Sequence, residues 1–156
     1  MNMQKSALAL RRFCLAALTL AAVVAPTSAF ALDYRSVTEA AAMYDAPSAK
    51  AKPLIVVAAG TPVEVVVSLE GWSKVRDIKG DLVWIEKKFL SDKRSLIVRA
   101  DRAQVRAAAD EKAAVVFEAE RDVVFELSDT AVGGWVKVKH RDGQSGFVKL
   151  TQVWGY

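Results

Sequence analysis

The chain has 156 residues, 53% of them apolar, with 22 Lys and Arg against 18 Asp and Glu and a single Cys. Three of the basic residues, Lys5, Arg11 and Arg12, stand in the first twelve positions, so 19 basic and 18 acidic residues remain beyond position 31 and the formal charge there is +1. Beyond that point the signs alternate and like charges gather only in pairs such as Lys87-Lys88 and Lys93-Arg94. Displacing counterions from nucleic acid needs a clustered basic face, so that function class is excluded.

Residues 1–31 read as a secretory signal. A basic start is followed by an apolar run from Phe13 to Ala25, then Pro26, then the small-x-small pattern Ala29-Phe30-Ala31, with Ala29 and Ala31 at the expected cleavage site. The run is shorter than the ~18 apolar residues a membrane-spanning helix needs, which disfavours the alternative of a retained anchor. Arg11-Arg12 resembles a twin-arginine pair, though its neighbours fit that export route poorly. Cys14 lies at the start of the apolar run and is expected to leave with the signal. The mature chain is then 125 residues with no Cys. It has no disulfide or thiolate chemistry, and burial of apolar surface alone must hold the fold. The expected location is outside the cytoplasm, in the periplasm.

Downstream, short runs rich in β-branched residues alternate with turn residues. Leu54–Ala58 is followed by Ala59-Gly60-Thr61-Pro62, Val63–Ser68 by Leu69-Glu70-Gly71, Trp72–Asp77 by Ile78-Lys79-Gly80-Asp81, and Leu82–Glu86 comes next. Such runs predict antiparallel strands of a small barrel. In Trp72–Asp77 the alternation puts Ser73 and Val75 on one face and Trp72, Lys74 and Arg76 on the other. Ala103–Val116 is Ala-rich, but Val115-Val116-Phe117 ends it as a strand, so loop and strand are expected there rather than helix. Leu96-Ile97-Val98 is a further strand, one that the two halves of the chain could share or exchange.

The halves repeat. Sliding the chain by 63 positions lays Gly71–Leu90 on Gly134–Val153 without a gap. Gly71, Trp72, Lys74, Val75 and Gly80 recur as Gly134, Trp135, Lys137, Val138 and Gly143, and Trp84 and Ile85 as Phe147 and Val148. Upstream, Val63-Glu64-Val65 is matched with Val123-Val124-Phe125 by assuming a three-residue insertion in the Asp129–Gly133 loop. Self-similarity of this kind implies a duplicated structural unit. The expected organisation is a signal at 1–31, a first barrel with its linker at 32–95 and a second at 96–156. Each unit is near the lower size limit for folding alone, so packing of one on the other is expected.

The pattern Gly-Trp-x-Lys-Val, a Gly-bearing turn, then an aromatic and an aliphatic residue resembles the bacterial Src-homology-3 family. Met43-Tyr44-Asp45-Ala46-Pro47-Ser48 is similar to that family's opening strand and first loop. The resemblance covers roughly residues 42–91 and 103–154. It implies an all-β fold, two tandem SH3-like small barrels. It also implies the function of exported members, which commonly recognise peptides, peptidoglycan among them. Trp72 and Trp135 fall where the family places the aromatic of its peptide groove, and Tyr44 beside the first loop. The proline-binding version of the fold carries a Pro and a Tyr in its last turn. Here those places hold Glu86 and Phe89, and Lys149 and Gln152, which argues against proline-rich ligands.

The expected groove is therefore Tyr44, Trp72 and Trp135, with Lys74, Arg76, Lys137 and Lys139 steering acidic groups. An indole that simply caps its own core under Lys stems is the competing reading. Trp84 and Phe147 are expected to pack inward, because a small barrel needs large side chains inside. Trp154 is expected to close a barrel. His140, matched with Asp77, is expected at an exposed position before a turn, and Glu64, Glu70 and Glu126 on the solvent side in weak ion pairs. A lone His without Cys makes no metal set of known spacing, and no Gly-x-Ser-x-Gly or His-Glu motif occurs. No cofactor and no catalysis are expected. The partner is a cell-wall peptide or an envelope protein. The alternative function is an assembly subunit working through sheet-edge contacts at Leu96-Ile97-Val98.

Overall fold

Alternation of β-branched and polar residues produces strands throughout the described part of the chain, residues 32–156 of the computed structural model. The expected signal, with Ala29 and Ala31, lies outside the described residues. In the first half the strands are β1 (Asp33–Val37), β2 (Ala41–Tyr44), β3 (Pro53–Val57), β4 (Pro62–Ser68), β5 (Trp72–Arg76), β6 (Leu82–Glu86) and β7 (Leu90–Ser91), with a 3-10 turn at Lys87–Phe89. The second half repeats them as β8 (Ser95–Val98), β9 (Arg102–Arg106), β10 (Val115–Glu120), β11 (Val124–Leu127), β12 (Trp135–Lys139), β13 (Ser145–Lys149) and β14 (Val153–Trp154), with a 3-10 turn at Leu150–Gln152. The Ala-rich stretch is strand, loop and strand, as its β-branched end requires.

Strand order is β3-β2-β6-β5-β4-β1-β7 in one sheet and β10-β9-β13-β12-β11-β8-β14 in the other. The two orders are the same order shifted by seven strands, which is what a duplicated unit produces. Each ladder is open, with β3 and β7, or β10 and β14, at its ends, so hydrogen bonding does not run round a complete barrel. Downstream of Gly71 the 63-residue offset holds, since Trp72 faces Glu86 and Trp135 faces Lys149. Upstream the register corrects the expected match. Glu64 faces Arg76 and Glu126 faces Lys139, so Val63-Glu64-Val65 corresponds to Phe125-Glu126-Leu127. The insertion between them is one residue, not three.

Each repeat has its own core, made by the inward residues of every strand. Val37, Met43, Val63, Val75 and Ile85 fill the first, and Val98, Val105, Phe125, Val138 and Val148 the second. Two matched core places trade size: Met43 gives way to the smaller Val105 and Val63 to the larger Phe125. Opposite changes of this kind are the ones a close-packed core tolerates. Gly146 takes the place of Val83, where an added Cβ would lie 2.6 Å from the Arg106 carbonyl oxygen and 2.7 Å from Val105 Cγ1.

The repeats pack on one another where β8 meets β4 and its leading turn, and β1 is tied to the linker between them. Ser36 Oγ donates to the Lys93 carbonyl at 2.7 Å and Ser95 Oγ to the Gly60 carbonyl at 2.6 Å. Trp154 stands edge-on to Tyr34 of the first repeat, with ring centroids 5.1 Å apart, so it joins the two repeats as well as ending the second sheet. Burial raises the Tyr34 hydroxyl pKa above the usual tyrosine value. Leu96-Ile97-Val98 is neither shared nor exchanged. β8 pairs with β11 on one side and β14 on the other, and all four of its residues are buried. A strand covered on both faces reads as an unbroken apolar run, which is how it came to resemble a free edge.

Candidate functional site

The outer face of the first sheet carries an aromatic cluster. Gly71, at φ 74, lets the chain turn tightly into β5, and Leu69 N–H donates to the Trp72 carbonyl at 2.8 Å to close that turn. Trp72 is then the first residue of β5 and points outward with Lys74, while Ser73 and Val75 are buried. Tyr44 ends β2, beyond a register shift in its pairing with β3 that re-aims the side chain. The loop after it is closed by Asp45 N–H to the Lys52 carbonyl at 3.2 Å and by Lys52 N–H to the Asp45 carboxylate at 3.0 Å. As a result the Tyr44 and Trp72 rings meet edge to face with centroids 5.5 Å apart.

Trp84 completes the cluster, against expectation. It faces Lys74 on β5 and Tyr44 on β2, and the Lys74 ammonium lies 5.8 Å from its ring centroid. The inward places on β6 belong to Val83 and Ile85, so Trp84 between them must point out. Three partly buried aromatic rings and one ammonium thus line adjacent strands. Flat apolar faces beside a cation suit an extended peptide, whose side chains lie on the rings and whose carboxylates reach the ammonium.

The second repeat builds the same face differently. Arg106 occupies the Tyr44 position, opposite Phe147 as Tyr44 is opposite Trp84. Its guanidinium is spent on the Ala113 carbonyl at 2.7 Å and the Gln104 side chain at 2.6 Å, which fastens the 107–114 loop. Trp135 is roofed by Lys149, whose ammonium sits 5.6 Å from the ring centroid and 2.5 Å from the Glu111 carboxylate. The Lys149 hydrogen bond holds the Glu111 carboxyl below the usual glutamate range. Phe147, like Trp84, faces outward, between buried Gly146 and Val148, and this too corrects the expectation of inward packing.

A family model described as a bacterial SH3 domain matches residues 37–92 and again residues 99–155. The chain belongs to this family. No curated protein matches it. Among solved structures, NlpC2 from Trichomonas vaginalis is 12% identical with TM-score 0.37, covering 81% of this chain and 49% of that one. NlpC1 from the same organism is 14% identical with TM-score 0.37, covering 81% and 46%. An NlpC/P60 family protein from Bacillus cereus is 16% identical with TM-score 0.37, covering 80% and 56%. The chain thus spans about half the length of the solved proteins it matches.

Within the paired SH3 repeats the expected groove residues separate. Tyr44, Trp72 and Lys74 come together. Trp135 lies on the corresponding face of the other repeat, with Lys137 exposed opposite Phe147. Arg76 is committed to Glu64 at 2.7 Å, and Glu64 is buried rather than on the solvent side. Lys139, the counterpart of Arg76, lies on the Trp135 side of β12 and lines a cleft between the repeats. His140 is half-buried against Phe117 and Phe125, at 5.9 and 6.1 Å between centroids, and not exposed. Asp77 is buried too, its carboxylate accepting from the Lys79 and Asp81 N–H groups at 2.9 Å each. In the second repeat that turn-capping task moves to Asp142, which accepts from Gln144 N–H at 2.9 Å and pairs with His140 Nδ1 at 3.0 Å.

Proposed function

We propose that this SH3 repeat protein is a non-catalytic, exported binding module that holds a peptide-like ligand of the cell envelope, with peptidoglycan stem peptide as the candidate. The first repeat does the holding. The observation that carries the reading is the cluster of Tyr44, Trp72 and Trp84 with Lys74 beside it, presented on the outside of the sheet and not spent on the core. Large, rigid aromatic faces offer contact area at low entropic cost, and such residues dominate binding energy where they are gathered. The family resemblance supports the same reading. Replacing Trp72 and Trp135 together by Ala is expected to abolish retention on isolated cell wall in a pull-down while leaving the β circular-dichroism spectrum intact. Unchanged retention refutes the aromatic face. Incubation with muropeptides is expected to leave their masses unchanged.

An assembly role is favoured by one separate feature. The end strand β3 leaves Leu54, Ile55 and Val56 exposed and carries no charge, and an uncharged end strand is a template for a partner's strand. This reading expects a Pro at Ile55 to dissolve a concentration-dependent complex seen by light scattering, and no retention on cell wall.

A further inference from the structure

A second site lies between the repeats, away from the aromatic face. A cleft of about 600 Å3 opens where the end of β1 and the Ala58–Gly60 turn meet the 122–126 segment and Lys139–Arg141 of the second repeat. That volume is within the range of ordinary small-ligand pockets. Its walls are held in place. Gly60 N–H donates to the Val37 carbonyl at 2.7 Å, and the Gly60 carbonyl accepts from Ser95 Oγ across the repeat boundary. Gly60 has φ 81, and a Cβ there would stand 3.3 Å from Val124 Cγ1, so the two walls touch at this point. On the far side Asp122 N–H donates to the Val98 carbonyl at 3.0 Å, and Val98 N–H to the Val123 carbonyl at 2.9 Å.

The lining has two chemistries. Val123 and Val124, both partly exposed, supply apolar surface, with Val37 and Phe125 behind it in the two cores. Lys93, Arg94, Lys139 and Arg141 stand against only Asp122 and Glu126. Glu126 stands opposite Lys139 across the β11–β12 pair and 4.0 Å from Lys93, and neither Lys139 nor Arg141 forms an ion pair among the described residues. Arg94 is already engaged, its guanidinium donating to the Gly155 carbonyl at 3.1 Å.

We infer that the inter-repeat cleft binds the carboxy-terminal end of a short peptide: an apolar residue settles against Val123 and Val124 while its free carboxylate is taken by Lys139 and Arg141. A carboxylate among cations at the edge of an apolar pocket forms charge-assisted hydrogen bonds, and Arg can engage both of its oxygens. The site is formed by both repeats, so it exists only in the tandem. That gives the duplication a role which one repeat cannot fill.

The test is an NMR titration of the 15N-labelled protein with N-acetyl-Ala-Ala as the free acid, with its carboxamide, and with inorganic phosphate. The free acid is expected to shift the Gly60 and Val124 amides without moving the indole resonances of Trp72 or Trp84. Neutralising the carboxylate is expected to weaken binding about tenfold, the scale of one lost charge-assisted contact. Phosphate, lacking the apolar part, is expected to bind more weakly than the acid. The paired substitution K139Q/R141Q is expected to remove the preference for acid over amide while leaving amide shifts outside the cleft in place. Equal binding of acid and amide overturns the proposal, as do shifts confined to the Trp72 face and phosphate binding as tight as the acid's. The acid–amide comparison on the unaltered protein decides the matter even if the double variant does not fold.

Discussion

The two repeats share strand order and register, yet their outer faces have parted. In the first, Tyr44, Trp72 and Trp84 form a cluster of rings with Lys74 at its edge. In the second, Arg106 replaces the tyrosine, Phe147 replaces an indole, and the Lys149–Glu111 pair lies over Trp135. The difference teaches that folding constrains the inward positions of such a unit and leaves the outward ones open to change. One copy is then able to keep a binding face while the other covers its own and contributes packing. The inward exchange of Met43 and Val63 for Val105 and Phe125 keeps apolar character, whereas the outward exchange of Tyr44 for Arg106 changes chemistry altogether.

Breaking the comparison at its strongest point means altering the two matched indoles separately. Trp72→Ala is expected to weaken retention on cell wall by about 2 kcal/mol, roughly thirtyfold, the loss typical of a central aromatic contact. Trp135→Ala, under its Lys149 roof, is expected to change retention by less than about threefold. Equilibrium binding to isolated wall measures both, and equal losses would erase the distinction between the faces.

The cores offer the next test. Gly146→Ala drives a methyl group into the Arg106 carbonyl and Val105 and is expected to cost about 1–3 kcal/mol. Val83→Ala at the matched place only empties space and is expected to cost about 1 kcal/mol. Urea unfolding followed by tryptophan fluorescence reads both. A neutral Gly146→Ala would show that the second core is looser than the first.

Smaller effects sharpen the account of the covered face. Glu111→Gln is expected to loosen Lys149 and make Trp135 more open to acrylamide quenching, with little change in stability, because the pair is exposed. The second turn also carries a pH signature. The Gln144 N–H and side-chain amide, with His140, hold the Asp142 carboxyl down at about 2. A carboxyl lowered by folding stabilises the native state above its unfolded pKa, and that contribution is lost as pH falls through the folded value. Stability owed to Asp142 is therefore expected to fade between the ordinary aspartate range and about pH 2, and Asp142→Asn to remove that portion of the acid limb. An NMR titration of the Asp142 side chain checks it, and an ordinary aspartate midpoint would contradict it.

The duplication and the four strands between Leu54 and Glu86 were legible because they rest on local patterns: period-two alternation, Gly at turns, and Gly-Trp-x-Lys-Val occurring twice. Trp84 was misread because size was weighed above alternation. Val83 and Ile85 claim the inward places, and strict period two between them would have turned the indole outward beside Lys74. Arg106 as the counterpart of Tyr44 was out of reach while the match upstream of Gly71 was two residues out of step. That offset is set by pairing, Glu126 against Lys139, and not by residue identity. The contacts between repeats left no local trace at all. Gly155 is an ordinary terminal glycine by sequence, yet a Cβ there would meet the Ser95 carbonyl oxygen at 2.8 Å and Pro62 Cβ at 2.9 Å.

The most direct measurement follows the four indole N–H resonances of the 15N-Trp-labelled protein as muropeptides are added. The account predicts that Trp72 and Trp84 move together while Trp135 and Trp154 stay in place. Movement of Trp135 alone, or of none of the four at saturating muropeptide, would contradict it.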